Sequence, residues 1–171
     1  VAQALLGTAL KVQAAGSLSL LTYNVWGLPA LSGFGSKAPW RYERIGQRLE
    51  RSDYDLIALQ ELWDPQTQAI LDRLRERYHV LAPSVCALHQ RSGLAIASKY
   101  PIQSWDSLTF STTAGVERIV AKGVLRAEIA VPTFGVVAIS ATHLISPPES
   151  LNRAALSQAE AERIRLAQIA E

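Results

Sequence analysis

Two oxygen-bearing side chains, Asn24 and Glu61, stand where the first two apolar segments of the sequence give way to polar residues. In layered sheet proteins, ligands and catalytic groups gather at the edge where strands end. A carboxylate and an amide oxygen suit a hard cation such as Mg²⁺, which prefers oxygen ligands and retains several waters. The pair therefore indicates a candidate metal site. The alternative is that Asn24 starts a turn and Glu61 caps the loop before a helix.

His143 ends a later apolar segment, in the string SATHLISP. An imidazole in that place can donate a hydrogen bond to a phosphate oxygen or stabilise charge that develops on it. The alternative is a structural histidine. His79 and His89 are weaker candidates, because His79 lies in an apolar segment and His89 stands beside Gln90 and Arg91 in a predicted exposed turn.

The elements that must position these residues follow from the spacing of apolar residues. This spacing predicts strands at 17–23, 55–60, 79–81, 93–98, 102–110, 120–131 and 135–143. Helices are predicted at 40–51, 66–78 and 150–171, the second beginning after the capping pair Asp64-Pro65. In the last helix the residues expected on one apolar side are Leu156, Ile164, Leu166 and Ile169. The order predicts an α/β or α+β protein built of layered sheets and helices.

Length, charge and cysteine content exclude several classes of protein. The 171 residues suffice for one domain or part of one, and a formal charge of +2 argues against a strongly basic nucleic-acid coat. Cys86 is the only cysteine, which excludes an intrachain disulfide and a structural zinc module. No apolar run approaches the ~20 residues of a membrane-spanning helix. The oligomeric state does not follow from the sequence.

The two ends of the sequence suggest a piece of a longer protein. The chain begins at Val1 and contains no methionine, so residues 1–16 are predicted to be an N-terminal extension or the remnant of an export signal. The last predicted helix continues to Glu171 without a Gly or Asn cap. We therefore expect a domain that is incomplete at its C-terminus.

Five strings in a fixed order carry a resemblance to a known family: TYNVWGLP, ALQELW, SGLAIASKYPI, KGVLRAEI and ATHL. Together they resemble the endonuclease/exonuclease/phosphatase superfamily of DNase I-like, metal-dependent phosphoesterases. The strings with WGLP and SGL are most similar to the neutral sphingomyelinase branch. The resemblance implies a DNase I-like four-layer α/β sandwich, with residues 17–171 as the N-terminal part of the domain.

The resemblance also implies roles for single residues. Asn24 matches the family's Asn that positions the catalytic metal and its waters, and Glu61 matches the Glu that binds Mg²⁺, or Mn²⁺ in its place. His143 matches the histidine that holds or protonates phosphate oxygens. Arg165 and Gln168 match a structural Arg-x-x-Gln of the helix that follows.

Lys122 corresponds to a lysine near the site in sphingomyelinase relatives, where it is linked to activation together with an acidic residue five positions earlier. That position holds Glu117 here, where the similar sphingomyelinases have Asp. The alternative is a solvated lysine at a strand edge.

The chemistry implied is attack of a metal-organised water on phosphorus. The family's general base lies in a G-D-x-N string and a terminal Asp-His pair, and neither occurs in this sequence. We therefore expect the 171 residues alone to be inactive and the parent protein to be an enzyme. The alternative from another class is a non-catalytic binding module that keeps part of the sheet.

The segment 25–40 bears on the substrate, because it contains Trp26, Leu28, Leu31, Phe34 and Trp40 together with three glycines. Such a segment could lie on a bilayer and admit a phospholipid headgroup, or its aromatic residues could fold back as core. Sphingomyelin is the substrate class that the resemblance favours. A nucleic acid or a phosphoinositide is the alternative substrate, and a secreted or periplasmic location is a family-level expectation.

Overall fold

The computed structural model describes residues 16–28, 39–83, 92–114, 120–146 and 157–171. Its first sheet has the strand order β1-β2-β4-β3, in which β1 and β2 run parallel and the other pairs are antiparallel. The strands of this sheet are β1 (Leu20–Gly27), β2 (Leu56–Leu62), β3 (His79–Leu81) and β4 (Ala95–Ser98).

The second sheet is an antiparallel meander with the order β5-β6-β7. Its strands are β5 (Ile102–Thr109), β6 (Gly123–Val131) and β7 (Gly135–Thr142). A tight connection explains the antiparallel pairing of β6 with β7, since only the turn 132–134 separates the two strands.

The described helices are α1 (Pro39–Glu50), a short 3₁₀ helix (Pro65–Thr67), α2 (Gln68–Arg75) and α3 (Gln158–Ala170). Asp64 caps the 3₁₀ helix as predicted, because its Oδ1 accepts a hydrogen bond of 2.8 Å from the backbone N–H of Gln66. The helix predicted over 66–78 is therefore divided, and only its central part is α-helical.

Alternation along β2 builds two cores, one on each face of the first sheet. Ile57 and Leu59 pack with buried residues of α1 and α2, whereas Leu56 and Ala58 pack with buried residues of β6 and β7. Successive side chains of a strand point to opposite faces, so a strand that is apolar throughout must be covered on both sides. The described residues thus form a helix layer, a central sheet and a second sheet.

Helix α3 is held by polar contacts, and the prediction of its apolar side is wrong at two residues, whereas Ile164 is partly buried. Leu166 and Ile169 are 62% and 68% exposed, whereas Ala161 and Gln168 are buried. Ser157 and Glu160 form a capping box, which explains why the helix begins at Gln158. Residue Leu156 lies outside the described residues.

The predicted α/β class is confirmed, with changes at the ends of elements that matter for the site. The first strand extends to Gly27, so Asn24 lies inside it and not directly after it. Glu61 likewise lies inside β2, whereas His143 follows the last residue of β7. None of the described helices is long and apolar enough to cross a membrane.

Candidate active site

The ends of β1 and β2 carry an irregularity that shapes the site. The two strands pair in parallel, Asn24 opposite Gln60, and the register shifts between Asn24 and Gly27. Glu61 has a φ of 62° and Trp26 a φ of 51°, a conformation that costs a non-glycine residue on the order of 1–3 kcal/mol. Such strain concentrates at functional sites, because the surrounding structure must maintain it.

Gly27 is required by this close pairing. A Cβ at Gly27 would overlap the backbone oxygen of Glu61 and come within 2.6 Å of Cγ2 of Thr67. The glycine of the WGLP string therefore allows the ends of β1 and β2, which carry Asn24 and Glu61, to approach each other closely.

Glu61, His143 and Lys122 come together at this edge of the sheets. Oε1 of Glu61 lies 3.6 Å from Nε2 of His143, and their side chains are 12% and 16% exposed. Nζ of Lys122 lies 3.5 Å from the same Nε2. Because little water screens them, the electrostatic coupling among these groups is stronger than at an open surface.

Lys122 is buried, with 5% of its surface exposed, so the alternative of a solvated strand-edge lysine is wrong. Its Nζ donates hydrogen bonds to the backbone oxygen of Leu144 at 3.0 Å and to Oγ of Ser146 at 3.1 Å. These bonds hold the segment that follows His143 against β6. Glu117, the acidic residue predicted to pair with Lys122, lies outside the described residues.

Trp63 completes the cluster, and it was not singled out by the sequence prediction. Its indole ring stacks on the imidazole of His143 with 5.5 Å between ring centroids and 24° between planes. Nζ of Lys122 lies 5.8 Å from the centroid of the indole. The signal in the sequence was its place in the ALQELW string, two residues after Glu61.

Asn24 is exposed, and its Oδ1 accepts a hydrogen bond of 2.8 Å from the backbone N–H of Trp26. Asn24 therefore starts a local turn, as the alternative interpretation of the sequence proposed. An amide oxygen has a second lone pair, so the turn leaves the oxygen able to bind a cation.

Glu61 fits a metal ion by its unused oxygen. Oε2 of Glu61 is buried and accepts no hydrogen bond from any residue that the structure describes. A buried carboxylate oxygen without a donor is costly, and a cation or its bound water would supply the missing partner. Within the described ranges no group of three or more His, Cys, Asp or Glu side chains forms a metal cluster. A site here would therefore combine Glu61 with amide oxygen and water ligands.

Two polar residues at the start of α1 pack against β1 near the candidate site. Arg41 donates a hydrogen bond to the backbone oxygen of Val25, and Tyr42 is fully buried beside it. Burial raises the pKa of Tyr42, and the negative charge of Asp64 raises it further. Tyr42 therefore stays neutral at physiological pH while Arg41 holds the end of β1.

Arg165 and Gln168 hold the segment after His143, in agreement with their predicted structural role. Oε1 of Gln168 accepts a 2.9 Å hydrogen bond from the N–H of Ile145, and Nε2 of Gln168 donates one of 2.8 Å to the oxygen of Thr112. Nε of Arg165 donates to the oxygen of Ile145 at 3.2 Å. The predicted site residues on β2 and after β7 thus come together, whereas His79 lies apart as the exposed first residue of β3. His89 lies outside the described residues.

The segment 25–40 divides between the two interpretations considered for it. Leu28 is buried, whereas Trp26 and Trp40 are exposed. Leu31 and Phe34 lie outside the described residues. At least two aromatic side chains therefore remain available at the surface.

A family profile matches most of the chain. The profile described as the Endonuclease/Exonuclease/phosphatase family matches residues 21–170, a range that contains every site residue discussed above.

Two curated relatives are similar in sequence. The inositol phosphosphingolipids phospholipase C of Schizosaccharomyces pombe is 26% identical over 144 residues, which cover 81% of this chain and 33% of the relative. Sphingomyelin phosphodiesterase 2 of Homo sapiens is 34% identical over 92 residues, which cover 50% of this chain and 20% of the relative. The chain thus spans a third or less of the length of each.

Solved structures confirm the DNase I-like fold class. Sphingomyelinase C from Streptomyces griseocarneus superposes with a TM-score of 0.69 at 21% identity, covering 90% of this chain and 56% of that one. A beta toxin variant from Staphylococcus aureus with bound magnesium ions gives a TM-score of 0.69 at 20% identity, covering 90% and 57%. The chain therefore spans little more than half of these folds.

Proposed function

The chain belongs to the endonuclease/exonuclease/phosphatase family, and from this premise we propose that its protein is a Mg²⁺-dependent phosphodiesterase that removes the headgroup of a sphingomyelin-like phospholipid. The observation that carries the proposal is the buried cluster of Glu61, His143 and Lys122 at the sheet edge. A carboxylate, an imidazole and an ammonium group in one desolvated site are suited to binding a phosphodiester and a cation together.

In this proposal Glu61 holds the cation, and Asn24 contributes its amide oxygen directly or through a water. The buried and unused Oε2 of Glu61 supports this assignment. Mg²⁺, when bound, would supply Lewis acidity to the phosphoryl oxygens and the leaving oxygen.

His143 would donate a hydrogen bond to a phosphoryl oxygen, and Lys122 would add a fixed positive charge beside it. Their 3.5 Å separation supports a joint action on one oxygen. Donors that are already in place stabilise charge at the moment it develops, because no reorganisation is then needed.

We assign the activity to the whole protein that carries this chain. The attacking water must give its proton to a base, and the family strings G-D-x-N and terminal Asp-His are absent from these 171 residues.

A sphingolipid substrate is supported by two observations. Both curated relatives have names that refer to sphingolipid phosphodiester chemistry. The exposed Trp26 lies on β1 two residues after Asn24, and the exposed Trp40 directly precedes Arg41, which bonds Val25 of the same strand. Tryptophan favours the membrane interface. We propose that the substrate reaches the site from a bilayer.

The test is a parallel assay of the whole protein on sphingomyelin vesicles, a phosphoinositide and DNA, each with Mg²⁺ and with a chelator. We expect phosphocholine release from sphingomyelin that stops when the chelator removes the metal. Turnover of DNA or of the phosphoinositide alone would contradict the lipid assignment. Vesicle binding without turnover of any substrate would favour the non-catalytic module.

A further inference from the structure

Trp63 contacts the proposed catalytic cluster but has no role in the proposed function. Trp63 follows the last residue of β2, and its indole contacts both His143, at 5.5 Å between centroids, and the ammonium group of Lys122, at 5.8 Å. One aromatic side chain therefore contacts two of the three charged or polar groups of the cluster. Offset stacking and cation–π contacts of this kind are attractive, and both depend on how the groups are placed relative to the ring.

Gly93 limits where the indole can lie. A Cβ at Gly93 would stand 2.5 Å from Nε1 and 2.7 Å from Cε2 of Trp63, so the indole lies directly against the glycine backbone. The oxygen of Gly93 accepts a 3.0 Å hydrogen bond from the N–H of Leu62, which fixes this backbone beside the end of β2. The indole therefore has no room to move toward Gly93.

The opposite side of the cluster is also fixed. Lys122 donates hydrogen bonds to the backbone oxygen of Leu144 and to Oγ of Ser146, and these bonds hold the chain directly after His143. Because the backbone is held there, the imidazole of His143 can move only by rotation about its side-chain bonds. The flat indole beside it restricts that rotation.

We propose that Trp63 is a positioning residue: its indole, held against Gly93, fixes the plane of the His143 ring and the place of the Lys122 ammonium group. The proposal rests on the proposed function for its kinetic consequence. Its structural part stands independently, on the stacking and the close approach of Gly93.

The first experiment compares Trp63→Phe with Trp63→Leu in the whole protein. Phenylalanine keeps a flat ring and leucine keeps only apolar volume. We expect Trp63→Leu to lower kcat by about 10- to 100-fold, the scale of loss that a misplaced catalytic group produces, with a much smaller change in KM. Trp63→Phe should retain most of the activity. Trp105→Leu is the matched control, because it removes an exposed indole from β5.

The second measurement does not depend on activity. The ring protons of His143 are observed by NMR in protein with ¹³C-labelled histidine, and the signals are assigned by their loss in His143→Asn. We expect Trp63→Leu to abolish the ring-current shift of these protons, Trp63→Phe to keep part of it, and Trp105→Leu to leave it unchanged. Unchanged His143 signals in Trp63→Leu would overturn the stacking and the proposal.

A further pair of variants tests the part played by Gly93. Gly93→Ala should displace the indole and the His143 signals, and the same change in a Trp63→Phe background should displace them less, because Phe lacks the pyrrole atoms that the new Cβ would meet. The φ of +70° at Gly93 strains alanine equally in both backgrounds, so the difference between them isolates the clash.

The two readouts separate failure of the inference from failure of the proposed function. Displaced His143 signals with equal kcat in Trp63→Leu, Trp63→Phe and the unsubstituted protein would show that the contact is structural, which overturns the positioning role. If the whole protein hydrolyses no phosphodiester, the proposed function fails. The His143 signals then decide alone whether Trp63 orients that ring.

Discussion

At the scale of single residues, the candidate site brings an acidic and a basic side chain together in a buried environment. Glu61 combines a positive φ with a buried oxygen that accepts no hydrogen bond from the described residues. Lys122 is buried beside the imidazole of His143, and its ammonium group donates hydrogen bonds to a backbone carbonyl and a hydroxyl. These positions are the basis of the proposal that the cluster binds a cation and a phosphate together.

The substitution Glu61→Gln tests the proposed metal ligand. The amide keeps the shape of the side chain but removes the negative charge, so kcat/KM for the phosphodiester should fall by at least about 100-fold, since loss of outer-shell partners alone costs about 10- to 100-fold. The rise in melting temperature caused by Mg²⁺ should disappear as well. Glu128→Gln on β6 is the matched control, because Glu128 bonds Ser104 and Arg126 away from the cluster. A fully active Glu61→Gln protein would contradict the assignment.

At the scale of elements, polar side chains fix how strands and helices meet. Helix α3 contacts the rest of the chain through Gln168, Arg165 and Glu171, and Glu171 accepts hydrogen bonds from the N–H groups of Ser111 and Thr112. The segment directly after His143 is thereby anchored from outside the sheet. The apolar periodicity of the sequence did not predict this contact, because the buried side chain that makes it, Gln168, is polar.

Gln168→Leu should destabilise the protein by about 1–3 kcal/mol, because the buried N–H of Ile145 and the oxygen of Thr112 would each lose a partner. Urea unfolding measures the loss. Gln158→Leu, at an exposed position of the same helix, should change stability by less than about 0.5 kcal/mol. Equal effects of the two substitutions would show that α3 is not anchored through Gln168.

Asp55 joins the start of β1 to the start of β2 and predicts a pH dependence of stability. The side chain of Ser19, and then its backbone N–H, donate hydrogen bonds that hold the pKa of Asp55 below its ordinary value of 3.8. A carboxyl group with a lowered folded pKa stabilises the fold above its unfolded pKa, and the contribution is lost as the pH falls through the folded value.

We therefore expect Asp55→Asn to lower the free energy of unfolding at neutral pH, and its difference from the unsubstituted protein to shrink as the pH falls below the ordinary pKa of 3.8. Denaturant unfolding over this range measures both. A difference between the two proteins that stays constant from neutral to acidic pH would contradict the role of the Asp55 charge.

At the scale of the whole molecule, the second sheet has one covered and one open face in the part of the chain that the structure describes. Alternate residues of β6 are buried against the first sheet, whereas β5 is exposed along most of its length and includes Trp105 and Leu108. Exposed apolar strands at a sheet edge favour association with other chains.

We expect residues 1–171, produced alone, to bind a hydrophobic dye and to self-associate at micromolar concentration, and to lack phosphodiesterase activity. Light scattering after size-exclusion chromatography measures the association. Replacement of Trp105 and Leu108 by lysine should reduce it, because charge on an edge strand opposes pairing. A monomer that binds no dye would show that the open face is covered within the chain itself.

Much of the fold and part of the site followed from local sequence. The α/β class and the strands that became β2 and β6 follow from apolar period, which consecutive residues determine by themselves. The family strings implied one site for Glu61 and His143, and in the structure Oε1 of Glu61 lies 3.6 Å from Nε2 of His143.

Only the tertiary structure decided the burial of Lys122, the exposure of Leu166 and Ile169, and the contact of Trp63 with His143. Each of these depends on which distant element lies opposite the residue, and a local pattern contains no information about that element. The positive φ of Glu61 is of the same kind, because it occurs where β2 lies against Gly27 of β1, a contact between residues far apart in the sequence. The sequence by itself therefore determined which residue types could do chemistry, and packing determined how they face one another.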